Sequence, residues 1–169
     1  VSPDGSKLYV GGSFTTVNGV TANRLAAINL PGCTVDTTFR PGTVNNTVRT
    51  IAATSDAVYI GGDFTTVNGT SRSRFAAVGT TGNLLPWAPA ADGVGRALDV
   101  PEGRSVVLLA GDFSTVNGAE SRAMAVVDNA AGGTVRAYAP ADYIPTSAVV
   151  KDITSDGTSF YVAGEGMGS

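Results

Sequence analysis

The sequence predicts an all-β fold of repeated four-stranded antiparallel blades, and three observations carry that reading. The first is an internal repeat. Residues 9–19 read YVGGSFTTVNG, residues 59–69 read YIGGDFTTVNG and residues 108–118 read LLAGDFSTVNG, at spacings of 50 and 49. The first two copies agree at nine of eleven positions. The second is that each copy sits among short apolar runs rich in Val, Ile, Leu, Tyr and Ala. These are too short for helices and are divided by turn residues. The third is composition. The 169 residues include 22 glycines, and charged residues make up 15% against 43% hydrophobic, a mix that suits many short strands joined by tight turns. Four antiparallel strands in a period near 50 match a β-propeller blade. A single blade buries both faces only by stacking on neighbours around an axis. A β-solenoid is the competing architecture, but its coils are usually shorter and lack such hairpin turns.

The elements follow in order within a unit. A first apolar run and a turn precede the shared motif, in TIAATSDAVYI, ALDVPEGRSVVLL and KDITSDGTSFYV. VSPDGSK at residues 1–7 reads as the end of such a segment. Asp4-Gly5, Glu102-Gly103 and Asp156-Gly157 are hairpin signals, since glycine accepts the positive φ of those turns. Gly11-Gly12 and Gly61-Gly62 close a strand and point to a bulge or to close backbone approach between blades. Phe14, Phe64 and Phe113 recur at one position and are expected to wedge between blades, each burial stabilising by about 1.5–3 kcal/mol. The pairs Asn18-Gly19, Asn68-Gly69 and Asn117-Gly118 are expected to turn the second strand into the third. RLAAINL, RFAAVGT and AMAVVDN supply the third strands. Phe39, Trp87 and Tyr138, each followed by X-Pro, close the units and are expected to pack the outermost strand onto its own blade.

The expected units run 3–45, 48–92, 96–142 and 148–169, the first lacking its innermost strand and the last incomplete. The chain therefore reads as an open arc of about three blades plus part of a fourth. It starts at Val1 without a methionine and stops at Gly-Met-Gly-Ser, which reads as a cut at both ends.

The chemistry-bearing residues are sparse. The formal net charge is −3, and the eleven basic residues are two lysines and nine scattered arginines. No basic stripe favours nucleic acid or a membrane surface, and no apolar run is long enough for a spanning helix. There is no histidine, which removes Ser-His-Asp and Cys-His catalysis and His-based metal sites from this segment. Carboxylates serve glycoside hydrolysis in pairs, but the acids here fall mostly in turns or at repeated positions and no pair stands out. No catalytic, cofactor-binding or metal-binding residue is therefore expected.

The repeated polar positions have two readings each. Asp63 and Asp112 recur, with Ser13 and Glu165 at matching places. Local hydrogen bonding to loop amides is the plain reading and calcium binding the sharper one, against which stands the lack of an Asp-rich ladder. Arg24 and Arg74 share one position, where the third unit has Ala123 beside Arg122. A strand start with a loop salt bridge is expected there. An anion-binding ring is the alternative, and Ala123 counts against it. Trp87 is a conceivable sugar platform, but its repeat-equivalents argue for packing. Asn45-Asn46-Thr47 and Asn68-Gly69-Thr70 are glycosylation sequons that matter only in a host with that machinery. Cys33 is the only cysteine, so it is a free thiol or pairs with a cysteine outside the segment.

VYIGGDFTTVNG followed by SRFAAV, together with CTVDTTFRPG, resembles the delta-60 repeat β-propellers. These are repeats of largely unassigned function, common in bacterial cell-surface and secreted proteins. The resemblance covers nearly the whole chain. It implies a propeller and an extracellular or cell-surface location, and it brings no catalytic residues and no cofactor. The chain departs from the pattern where LLPWAP replaces VDTTFRP, at Ala110-Gly111, and at Gly166, which stands where a phenylalanine is due. Two classes of function follow. One is a non-catalytic binding or scaffold module for a protein or glycan, with the remaining blades of a parent chain as its structural partners. The alternative is a fragment of a propeller enzyme, a glycoside hydrolase or a galactose-oxidase-like protein, with its catalytic residues outside this segment.

Overall fold

A computed structural model of the chain describes residues 1–136 and 144–166. Strands, turns and bends make up the described residues, and no helix occurs among them. Blade 1 holds β1 (Lys7–Gly11), β4 (Leu25–Asn29) and β5 (Thr34–Val35), hydrogen-bonded in the order β1-β4-β5. Blade 2 holds β6 (Val48–Ala53), β7 (Ala57–Gly62) and β10 (Phe75–Gly79) in the order β10-β7-β6. Blade 3 repeats this with β11 (Gly95–Asp99), β12 (Val106–Gly111) and β15 (Met124–Asp128). Blade 4 is the hairpin of β16 (Val149–Ser155) and β17 (Phe160–Glu165). All pairings are antiparallel.

In the repeat register β1 matches β7 and β12, the second strands, so blade 1 has no innermost strand. The fourth strand of blade 2 shrinks to the single bridge Val78↔Leu84, and in blade 3 the described residues show the bridge Val127↔Val135. Pro86 gives the reason in blade 2, because it stands two residues after Leu84 and has no N–H to continue the ladder.

The core is divided into three parts, one per junction. Along β7, Val58 and Ile60 join Tyr9, Leu25 and Phe64 between blades 1 and 2. Ala57 and Tyr59 of the same strand join Phe75, Leu98 and Phe113 between blades 2 and 3. Alternate side chains leave opposite faces of a strand, so one apolar strand serves two junctions. With both faces covered, β7 and β10 are buried throughout and read as continuous apolar runs.

Two of the three repeated phenylalanines lie as expected, and Phe14 does not. Phe64 and Phe113 are buried, and each fills the junction with the preceding blade. Phe75 of blade 2 meets Phe113 edge-on at 6.0 Å. Phe14 faces no preceding blade and is half-exposed. Among the described residues no sheet and no core cluster joins blade 4 to blade 1, and the blades form an open arc. Its terminal faces expose Leu8 at 38% and Phe160 at 47%.

Two expectations need correction. The Asn-Gly pairs do not turn the second strand directly into the third. They close separate ribbons in that connection, β2 (Thr16–Val17) with β3 (Val20–Thr21), β8 (Thr66–Val67) with β9 (Thr70–Ser71), and β13 (Thr115–Val116) with β14 (Ala119–Glu120). Asn68 and Gly69 have φ of 48° and 75°, the paired positive values that a two-residue hairpin requires. The Gly-Gly pairs need correction only in part, because Gly61-Gly62 does face the bulge at Val48/Thr50, as one of the two readings expected. A Cβ on Gly62 would lie 2.1 Å from the Thr47 carbonyl oxygen, which belongs to the same blade. That close approach is within a blade. Gly11 is the junction glycine, with Val48 and Ile51 of blade 2 against it.

Candidate functional site

The repeated charges meet at one end of the inner strands. Each innermost strand carries a bulge, with register shifts at Val48/Thr50, Gly95/Ala97 and Val150/Asp152. The extra residues are Arg49, Arg96 and Lys151. A bulge re-aims the side chain of its extra residue. Here each cation reaches the acid at the end of the second strand. Arg49 donates from Nε to Asp63 Oδ1 at 2.8 Å and from Nη2 to Oδ2 at 2.7 Å. Arg96 makes the same fork to Asp112, and Lys151 pairs with Glu165.

The Arg49 guanidinium holds the Asp63 carboxyl below its ordinary value, aided by Arg74 and Arg96. Hydrogen bonding from Lys151 lowers Glu165 likewise. Arg96 is stabilised as a cation first by Asp112, then by the charges of Asp63 and Glu165. The three pairs thus form one electrostatic ladder across blades 2 to 4. The two arginine rungs are partly solvated, so each contributes about 0.2–1 kcal/mol, with bidentate geometry favouring the upper end, and the Lys151–Glu165 rung is open to solvent.

This corrects the sequence reading of Asp63 and Asp112. Their partners are guanidinium groups, not loop amides, and no group of three acids gathers for a cation among the described residues. The amide-capping role falls instead to the linkers. Asn45 Oδ1 accepts from the Thr65 and Thr66 amides, and Asp92 Oδ1 accepts from the Ser114 and Thr115 amides. Burial pushes the Asp92 carboxyl up, but those amides outweigh it and hold it low. The Asn45 amide also donates to Thr65 Oγ1 at 2.9 Å, so this sequon asparagine is committed to the frame.

Arg24 and Arg74 also differ from expectation. Both sit at positive φ, 71° and 76°, and neither makes the expected salt bridge among the described residues. Arg24 Nη1 donates to the Val44 carbonyl at 2.9 Å, and Arg74 Nη1 donates to the Asp63 carbonyl at 2.5 Å. They pin backbone rather than form an anion ring. Ala123 keeps the conformation, at φ 66°, without the side chain.

The closing aromatics pack as expected and do more. Phe39 lies 5.4 Å from Tyr9, and Trp87 meets Tyr59 edge-on at 5.0 Å, both within their own blades. The Trp87 Nε1 also donates to the Asp128 carbonyl of blade 3 at 2.8 Å, which ties two blades together. Tyr138 lies outside the described residues. Asn117 makes a similar tie, accepting from the Ala90 amide and donating to the Gly133 carbonyl. Cys33 is an exposed free thiol.

A further ion pair is peculiar to blade 1. Asp36 is nearly buried and pairs with Lys7, and it also accepts from the Thr38 amide and hydroxyl. Burial raises this carboxyl, but Lys7 and Thr38 outweigh it and hold it at about 2.

A family model described as a domain of unknown function (DUF5122) beta-propeller matches residues 3–39. The match spans the turn before β1, the first ribbon and all three strands of blade 1. No curated protein matches the chain. The fold, the internal repeat and this match define the chain as a β-propeller repeat protein.

Proposed function

We propose that the chain is a non-catalytic module of the delta-60 repeat type, with a binding or scaffold role at the cell surface or outside the cell. The commitment of four acids, three of them on repeat positions or linkers of blades 2 and 3, carries this reading. Asp63 and Asp112 are locked to guanidinium groups, Asp36 to Lys7, and Asp92 to backbone amides. A glycosidase needs one carboxyl with a raised pKa to protonate its leaving group. Asp36, Asp63 and Asp92 are instead held low, as structural anions. A rigid frame that presents turns at its ends suits recognition. The location rests on the resemblance alone.

The test has two arms. The chain is incubated with a panel of fluorogenic glycosides, and with galactose in the presence of copper. No turnover above the blank is expected. The labelled chain is then added to intact bacterial cells, where saturable retention is expected. Turnover that scales with protein concentration, or no retention on any surface, overturns the reading.

A further inference from the structure

We propose that two clefts at the opposite end of the blades bind a neutral saccharide, with the hydroxyls of Tyr9 and Tyr59 as hydrogen-bonding groups. This names a ligand for the binding role above and rests on that reading. The turns between innermost and second strands cluster at this end, away from the charge ladder. Between blades 1 and 2 they enclose a cleft of about 400 Å³, bordered by Tyr9, Thr54, Ser55, Thr80 and Thr81. Between blades 2 and 3 they enclose one of about 700 Å³, bordered by Tyr59, Asp56, Glu102 and Asn129. Both volumes fall within the range of small-molecule sites. Pro3, Thr54 and Ser55 border both, so the clefts adjoin across the tip of the blade 2 turn.

The tyrosines carry the argument. Tyr9 and Tyr59 occupy one repeat position and are 7% and 6% exposed. Neither hydroxyl has a hydrogen-bond partner among the described residues, and neither is sealed from solvent. Tyr9 lines the smaller cleft and Tyr59 the larger. Packing does not require the hydroxyl, because Leu108 fills the same position in blade 3 and is fully buried. Tyr161 holds the same repeat position in blade 4 and spends its hydroxyl on Asp156 of its own hairpin, whereas the hydroxyls of Tyr9 and Tyr59 are left free to bond a ligand. Burial raises both phenols above their ordinary value, so each is a neutral donor and acceptor.

The rest of the lining selects the ligand class. Asp56 and Glu102 accept from hydroxyl groups, and Arg104 on the same border balances their charge and donates. Asn129 offers a donor and an acceptor together. Ala53, Val100 and Pro101 supply an apolar wall against which the C–H face of a pyranose packs. Hydroxyl-rich, uncharged and apolar on one face describes a neutral sugar.

Trp87 is the only tryptophan and abuts Tyr59, so its fluorescence reports on the larger cleft. The intact chain is titrated with cellotriose, maltotriose and chitotriose, and with trigalacturonate as the anionic counterpart. Saturable change is expected with at least one neutral trisaccharide and none with trigalacturonate. Tyr59→Phe keeps the ring and the melt, and is expected to weaken binding about fivefold, the effect of one neutral hydrogen bond. Thr70→Ala, on a ribbon at the far end, leaves affinity unchanged. No saturable binding of any neutral trisaccharide overturns the proposal, as does unaltered affinity in both Tyr59→Phe and Tyr9→Phe. If the chain is still retained on cells in that case, the cleft assignment fails and the binding role stands. If retention is also absent, both fail.

Discussion

Truncating Phe64 to alanine tests the junction packing most directly. The side chain is 0% exposed and sits among Leu25, Ile60 and Val67 between blades 1 and 2. Removing the ring forfeits about 1.5–3 kcal/mol of transfer free energy. The cavity left behind brings the loss to about 3–5 kcal/mol, because the strands of two blades hold its walls apart. Phe113→Ala should lose at least as much, since Phe113 also meets Phe75 edge-on, an arrangement worth about 0.5–1.5 kcal/mol more. Phe14→Ala is the internal control, with the same residue in the same repeat position but half-exposed. It should cost less than about 2 kcal/mol. Urea unfolding followed by far-UV circular dichroism and by Trp87 fluorescence measures all three. A loss below about 1 kcal/mol for Phe64→Ala, or equal losses for Phe14 and Phe64, refutes the wedge.

Three more outcomes follow from the geometry. Gly62→Ala drives a Cβ to 2.1 Å from the Thr47 carbonyl oxygen and should destabilise by about 1–3 kcal/mol in the same urea assay, whereas Gly69→Ala meets open space and is strained only by its positive φ. Asp36 titrates at about 2 when folded and near 4 when unfolded, so its contribution of about 2 kcal/mol is complete above pH 4 and is lost as the pH falls towards 2. Asp36→Asn should flatten that part of the stability profile. The apolar terminal faces, including Leu8, Phe160 and Tyr161, should drive concentration-dependent association of the 169-residue chain, read by light scattering. A monodisperse monomer at every concentration contradicts this.

The blades were legible because a repeated environment selects repeated residues. Phe64 and Phe113 recur because both fill a junction with the preceding blade, and Trp87 and Phe39 recur because both cap a tyrosine. The ribbons were harder to read. Two residues per strand leave no alternation, so Thr66–Val67 looks like an extension of the longer strand before it. The outermost strands faded for the opposite reason, since Pro86 ends a ladder that the apolar pattern alone would extend. The charge ladder went unread because each rung joins residues on different strands. A signal was present all the same. A basic residue opens the first segment of three units, at Arg49, Arg96 and Lys151, and the acid follows 14, 16 and 14 residues later. The clefts were invisible because their borders come from separate blades, and nothing marks a tyrosine as unpartnered until the strands are stacked.

The three junctions are unequal, and this fixes where the arc opens first. Between blades 1 and 2 the core contains Tyr9, Phe39 and Phe64, and between blades 2 and 3 it contains Tyr59, Phe75, Trp87 and Phe113. Between blades 3 and 4 the described core has no aromatic side chain, and Met124, Ile144, Val150 and Ile153 fill it. Gly166 stands where the wedge phenylalanine of blade 4 is due, and Met124 occupies the place that Phe75 holds in blade 2. Aromatic side chains dominate core energetics by area, and among the described residues the third junction buries the least aromatic surface. Blade 4 is also the thinnest, since β17 pairs with β16 alone and is exposed along its whole length. Strands with few buried contacts and a solvent-facing ladder open with the smallest free energy. Native-state hydrogen exchange should therefore show the amides of β16 and β17 exchanging well before those of β7 and β12. Introducing a phenylalanine by Gly166→Phe is no remedy, because Gly166 adopts φ 65°. If β16 and β17 exchange as slowly as β7, the third junction is as strong as the others and aromatic content does not rank them.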